Sequence, residues 1–249
     1  MRVLFAIGLL GMSIHLSAKT VEVSSPNEQL RVTVNDDKSQ PKYSVSYKGQ
    51  TLLEPSRLGL VFKQQAFFTT GFKIFTATLG AVDSSWQQPW GERRIVKDKH
   101  NELLIVFKND ALPRAETQEG FFAHLFKPKQ STQGGEYRLR LRVFDDGLGF
   151  RYEIPRPPGY EQVEIVQEVT EFSLAKPEAA TAWWIPARGW NRYEYLYNKT
   201  PFTEANHVHT PFTFRTGSGV HMSIHEAALV DYAAMTLNQR RPGTLVADL

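Results

Sequence analysis

The sequence predicts an all-β protein folded as one large antiparallel sandwich, and three observations carry that reading. Apolar and polar residues alternate with a period of two almost everywhere. Turn-forming residues interrupt the alternation at short intervals, and no stretch of ten or more residues shows a convincing helical period. Successive side chains of a strand point to opposite faces, so this alternation gives one face to a core and the other to water.

Taken in order, the chain opens on a leader. Arg2 precedes an apolar run from Val3 to Met12, and Leu16-Ser17-Ala18 stands before the charged Lys19. That is the order of a secretory signal peptide cut after Ala18, and the apolar run is too short to span a bilayer of ~30 Å. The mature chain, residues 19–249, is then expected in the periplasm or outside the cell. Val21 and Val23, then Leu30, Val32 and Val34, then Tyr43, Val45 and Tyr47 form a meander. Its turns fall at Ser25-Pro26-Asn27, Asn35-Asp36-Asp37 and Lys48-Gly49. Leu58–Phe62 and Leu103–Phe107 continue the pattern. Residues 111–135, rich in Pro, Gly, Gln and Lys, read as a long surface loop or irregular hairpin. Tyr137–Phe144 and Gly149–Ile154 flank Asp145-Asp146-Gly147, a hairpin signal because Asp-Gly tolerates positive φ. Glu226–Leu237 suits a helix or a strand equally well. After the Arg241-Pro242-Gly243 turn, Thr244–Leu249 reads as a strand that stops in mid-element with an unpaired edge, so the sandwich is expected to lack its last strands.

Composition narrows the function. There is no cysteine, so disulfides and thiolate metal sites are excluded and stability must come from a core. A net charge of +3, from 29 basic and 26 acidic residues spread along the chain, gives no basic stripe for nucleic acid. Arg138, Arg140 and Arg142 alternate with Tyr137, Leu139, Leu141 and Val143, which is the pattern of a strand with one solvated face. Neither a nucleic-acid partner nor a membrane span is expected, and the chain reads as a monomer.

The most unusual stretch runs from Ala182 to Thr213. It contains Trp183-Trp184-Ile185-Pro186 and Trp190-Asn191-Arg192-Tyr193-Glu194-Tyr195-Leu196-Tyr197. Exposed aromatic rings stack on the apolar faces of sugars, and Asn, Arg and Glu hydrogen-bond hydroxyl groups. The alternative is that Trp183, Trp184, Tyr193 and Tyr195 are core aromatics. His207-Val208-His209 suggests zinc, since His-x-His in a strand puts both rings on one face, but His221 and His225 would share a face only on a helix. Asp145-Asp146 read as turn residues rather than as a catalytic pair.

These stretches also carry a resemblance. Ser24-Ser25-Pro26, Tyr43–Tyr47, Trp90-Gly91-Glu92, Phe144–Glu153, Glu168–Phe172, Trp183–Pro186, Tyr193–Tyr197, Ile224–Ala227 and Asp231-Tyr232 occur in the order found in glycoside hydrolase family 97. The chain resembles the N-terminal region of this family of exported bacterial α-glucosidases and α-galactosidases. The resemblance implies an antiparallel β-super-sandwich of the galactose-mutarotase type, followed in the family by a (β/α)8 catalytic barrel. It implies a calcium ion held partly by that barrel, with Glu194 as the ligand from this domain. Nothing in the chain matches the family's catalytic carboxylates, so no catalytic residue is expected.

The leading expectation is therefore an accessory domain that shapes a cleft for an α-glucoside or α-galactoside oligosaccharide, inactive without the catalytic barrel. Trp184, Trp190 and Tyr195 are the expected stacking platforms, Asn191 a hydroxyl partner, and His225 and Glu226 residues at the barrel interface that assist the sugar site indirectly. The alternative is a stand-alone, lectin-like carbohydrate-binding sandwich. A third reading is a periplasmic β-protein that captures extended peptides at its open edge.

Overall fold

The first four strands convert alternation into rows of apolar contacts. The computed structural model describes residues 18–63, 70–109, 135–155, 164–187, 189 and 192–249. The expected leader, nearly all of the loop expected at 111–135, and the candidate residues Trp190 and Asn191 lie outside the described residues. β1 (Thr20–Ser24), β2 (Leu30–Asn35), β3 (Lys42–Tyr47) and β4 (Gln50–Arg57) form the predicted antiparallel meander. Its register places Val23, Val32, Val45 and Leu53 in one row across the four strands, all buried. Tyr47 pairs with Gln50, and Lys48 and Gly49 both have positive φ (50° and 78°). Positive φ at both central residues defines the mirror-image turn whose twist suits a two-residue hairpin.

The remaining strands are β5 (Leu60–Phe62), β6 (Lys73–Gln87), β7 (Ile95–Lys108), β8 (Glu136–Val143), β9 (Leu148–Glu153), β10 (Ile165–Glu168) and β11 (Glu171–Leu174). They continue with β12 (Thr181–Trp184), β13 (Asn198–Pro201), β14 (His207–His209), β15 (Phe212–Arg215), β16 (His221–Ile224), β17 (Thr236–Arg241) and β18 (Thr244–Asp248). An eight-stranded sheet runs β1-β2-β3-β4-β11-β18-β17-β14. Two four-stranded sheets run β6-β7-β8-β9 and β13-β12-β15-β16, and β5 pairs with β10. Every pairing is antiparallel, and the buried faces of the three larger sheets meet in one contiguous core. Tyr43 on β3 meets Phe150 on β9 with ring centroids 5.5 Å apart, and Phe202 packs edge-on against Phe214 at 5.0 Å. No helix among the described residues is long and apolar enough to cross a membrane.

Three expectations change. The hairpin at residues 144–147 forms, with the Phe144 N–H donating to the Gly147 carbonyl at 2.8 Å, but Gly147 is not among the positive-φ residues. A four-residue loop of this kind is usually built on a type I turn, which needs no left-handed residue. Asp145 instead accepts the Asn27 N–H at 2.9 Å, tying the hairpin to the β1–β2 turn. Between Glu226 and Leu237 the chain is neither helix nor continuous strand. It is irregular through Met235, where the Glu226 carboxylate accepts the Met235 N–H at 2.5 Å, and β17 begins only at Thr236. Third, β18 is no edge. It lies between β11 and β17, and Thr244, Leu245, Val246 and Ala247 are all buried. A strand covered on both faces shows a continuous apolar run rather than alternation.

Each arginine of β8 meets at least one glutamate. Arg138 meets Glu136 at 3.2 Å, Arg140 bridges Glu102 and Glu153, and Arg142 reaches Glu102 at 3.1 Å. The Arg140 hydrogen bond, reinforced by Arg151, holds the Glu153 carboxyl down at about 2. Its stabilising contribution is therefore present above the ordinary carboxylate range and is lost as pH falls toward 2.

The central position of β18 is testable by denaturant unfolding. Leu245→Ala is expected to cost about 2–5 kcal/mol, as for other buried Leu truncations. Leu249→Ala, at an exposed position one residue past the strand, is expected to stay within about 0.5 kcal/mol.

Candidate functional site

The loop between β12 and β13 is pinned at three places. As it leaves β12, Pro186 bridges to Val208 of β14, the His209 N–H donates to the Ile185 carbonyl at 3.1 Å, and the Ala187 N–H donates to the His207 carbonyl at 3.0 Å. Further on, the Tyr193 ring lies on the His209 ring with centroids 4.1 Å apart. His209 is buried, and that burial pushes its imidazole below the ordinary range, so it stays neutral beneath Tyr193. The loop rejoins the sheet where Asn198 pairs with Trp184.

Glu194 sits at the apex of this loop. The Tyr195 N–H donates to the Tyr193 carbonyl at 2.9 Å, a three-residue turn with Glu194 at its centre. Its side chain is exposed and makes no hydrogen bond or ion pair among the described residues, while Leu196 and Tyr197 beside it are exposed at 92% and 67%. A free carboxylate is a fitting oxygen donor for a hard cation, but calcium takes six to eight oxygens. Among the described residues no group of three or more His, Asp or Glu side chains converges on a point, so Glu194 fits calcium as a contributor only. His207 is engaged by Thr236 at 2.9 Å and Asp248 at 3.4 Å, which leaves no zinc pair with His209.

The other sequence-predicted residues separate. Trp184 shares the inward parity of Ala182, packs against the core, and donates from Nε1 to Thr200 Oγ1 at 3.1 Å. Tyr195 is half-buried in the Glu194 turn. His225 is exposed, with Nδ1 3.1 Å from the Glu226 carbonyl, and the Glu226 carboxylate is occupied by the Thr210 hydroxyl at 2.9 Å and by the Met235 N–H.

A second carboxylate, Glu168 at the end of β10, collects a directional chain of donors. The Gly59 N–H donates to the Tyr152 hydroxyl at 2.9 Å. The Thr170 hydroxyl donates to Glu168 Oε1 at 2.5 Å, so the Tyr152 hydroxyl, 2.8 Å from Thr170 Oγ1, donates its own proton to Thr170. Tyr232, from the irregular segment before β17, donates to Glu168 Oε2 at 3.1 Å. Burial raises the Glu168 carboxyl above its usual range and the nearby Glu226 charge adds to this, while the Thr170 and Tyr232 hydrogen bonds oppose it.

Residues 23–248 match the Glycosyl-hydrolase 97 N-terminal family model. The chain belongs to glycoside hydrolase family 97. A family 97 enzyme of Pseudoalteromonas sp. strain K8, solved with panose and with acarbose, is 48% identical with a TM-score of 0.80, over 92% of this chain and 32% of its own. A β-arabinopyranosidase crystal structure is 26% identical with a TM-score of 0.75, over 92% of this chain and 35% of its own. A probable retaining α-galactosidase of Streptomyces bingchenggensis is 27% identical over 77% of this chain and 26% of its own length. The chain thus spans about a quarter to a third of these relatives, and its fold is the antiparallel β-super-sandwich of the family 97 N-terminal domain.

Within this family 97 domain, two features escaped the sequence. Glu168 and Tyr232 stand 64 positions apart with no local pattern linking them, and that Trp183 rather than Trp184 faces away from the core depends on strand parity.

The Glu168 cluster generates a pH test. A carboxyl raised on folding resists ionisation, so stability is fullest below the unfolded carboxylate value and falls as pH rises through the folded one. Glu168→Gln removes the ionisation while Tyr232 can turn to accept from the new amide. In the variant the thermal midpoint at pH 4 minus that at pH 7 is expected to be smaller than in the wild type; an unchanged difference counts against a raised Glu168.

Proposed function

We propose that this chain is the accessory sandwich of an exported α-glycosidase, shaping a sugar cleft and lending the Glu194 carboxylate to a calcium ion completed by a catalytic barrel. The observation that carries this reading is the Glu194 apex: an exposed carboxylate with no partner among the described residues, on a loop pinned to β14 and flanked by exposed Leu196 and Tyr197. A carboxylate held for an internal role is normally found paired, as Glu171 is with Arg57 at 2.8 Å. Calcium bound there would supply positive charge to orient and polarise a sugar hydroxyl. The chain's own part is to present one oxygen donor at a fixed place, because Tyr193 cannot leave His209 without unstacking. The family 97 enzyme that is 48% identical was solved with panose and acarbose, which supports an α-glucoside as the oligosaccharide. The leader at residues 1–18 supports export to the periplasm or beyond.

The domain is proposed to be inactive by itself. Glycoside hydrolysis needs two carboxyl groups flanking one bond, ~5–5.5 Å apart for retention or ~6.5–9.5 Å for inversion. Glu168 and Glu226 are close enough to interact electrostatically, but hydrogen bonds from Thr170, Tyr232, Thr210 and the Met235 N–H occupy their oxygens. These internal hydrogen bonds favour a structural role for both carboxyls over protonating a leaving group or attacking an anomeric carbon.

The purified 249-residue chain, assayed with aryl α-glucosides and aryl α-galactosides with and without calcium, is expected to give no turnover above the uncatalysed rate. Measurable turnover that Glu226→Gln or Glu168→Gln abolishes would overturn the accessory assignment.

A further inference from the structure

The outward face of the β13-β12-β15-β16 sheet carries aromatic, hydroxyl-bearing and cationic side chains in register. Register places Lys199, Trp183, Thr213 and Ser223 side by side in one row across the four strands, and Pro201, Thr181, Arg215 and His221 in the next. Directly opposed side chains in such a sheet stand ~4.5–5.5 Å apart at Cβ, so the eight form one continuous surface. The intervening residues Ala182, Phe212 and Phe214 are fully buried, which confirms that this surface faces away from the core. At its centre the Trp183 ring lies nearly parallel to the His221 ring (24°, centroids 6.5 Å apart), with Lys199 Nζ 5.8 Å from its centroid. Thr213 donates to Ser223 Oγ at 3.3 Å, so the hydroxyls alongside are oriented. A shallow open depression of about 330 Å³, lined by Glu178, Thr181, Lys199 and Pro201 among others, extends the face at the β13 edge.

Charge distinguishes this face from the other four-stranded sheet. There, Arg138, Arg140, Arg142 and Arg151 are each matched by Glu136, Glu102 or Glu153. Here Lys199 and Arg215 are exposed and neither makes an ion pair among the described residues; Glu178, which shares the depression with Lys199, does not bridge to it. An indole flanked by hydroxyls and an imidazole suits a sugar ring, which offers an apolar face for stacking and hydroxyls for hydrogen bonds. Two uncompensated cations beside it favour a ring that carries a negative charge, because carboxylate and sulfate oxygens take charge-assisted hydrogen bonds from Arg and Lys.

We propose that this face is a binding site for acidic saccharide, with Trp183 stacking on a sugar ring and Lys199 and Arg215 engaging its carboxylate or sulfate. The site lies on strands rather than on the Glu194 loop and stands whether or not Glu194 binds calcium. It would hold the protein on a charged polysaccharide matrix without taking part in cleavage.

The test is titration of the 249-residue chain with polygalacturonate, dextran sulfate and neutral dextran, followed calorimetrically. At least one anionic polymer is expected to bind at least tenfold more tightly than neutral dextran, and which of the two binds identifies carboxylate or sulfate as the recognised group. Trp183→Ala is expected to lower that affinity at least tenfold with little change in thermal midpoint, since the ring lies off the core, and Arg215→Glu to abolish binding. Three outcomes would each overturn the site: neither anionic polymer binding, neutral dextran binding as tightly as they do, or Trp183→Ala leaving their affinity unchanged.

Discussion

Every functional feature of this chain hangs from one constraint, the burial of one face of each sheet in a shared core. With no cysteine to staple the fold, apolar burial must offset the ordering of the whole chain. The row Val23, Val32, Val45 and Leu53 belongs to the same core as Leu103, Ile105 and Phe107 of β7 and Leu139 and Leu141 of β8. Each such side chain contributes about 1.5–3 kcal/mol on leaving water. Strand parity therefore cannot slip: a one-residue shift of β12 would exchange Ala182 for Trp183 in the interior and turn the outward face inside out.

The buried polar groups obey the complementary rule that a polar group removed from water must be satisfied. Glu171 is met by Arg57 through Nε at 2.9 Å and by the Arg57 N–H at 3.1 Å. Glu168 is the end point of donors drawn from the β4–β5 connection, β9, the β10–β11 turn and the segment before β17. Such satisfied networks specify one arrangement of the elements they join. Glu194 is the counter-example: an acid of the same chemistry left exposed on a pinned turn, with no partner among the described residues.

Legibility in the sequence followed the same physics. The meander and the β8–β9 pair could be read because each has one buried and one wet face, which is where a period of two is clearest. β6 could not, since most of its residues from Phe75 to Gln87 are exposed whichever way they point. β18 reads as an edge because it is covered on both faces and does not alternate. Trp183 and Trp184 are adjacent and both half-buried, and only the parity of β12 decides that the first points away from the core and the second toward it. The choice of Glu194 rests on the family motif around it; its place at the apex of a turn seated on His209 depends on a contact between β14 and a loop that no local pattern announces.

The central claim is that Glu194 is one contributor to a calcium site this chain does not complete. Calorimetric titration of calcium into the 249-residue chain and its Glu194→Gln variant tests it most directly. The account predicts wild-type binding no tighter than about 10⁻³ M, the weak end for protein calcium sites, and its loss in Glu194→Gln with an unchanged thermal midpoint. Micromolar binding, or binding of any strength that Glu194→Gln leaves intact, would contradict it.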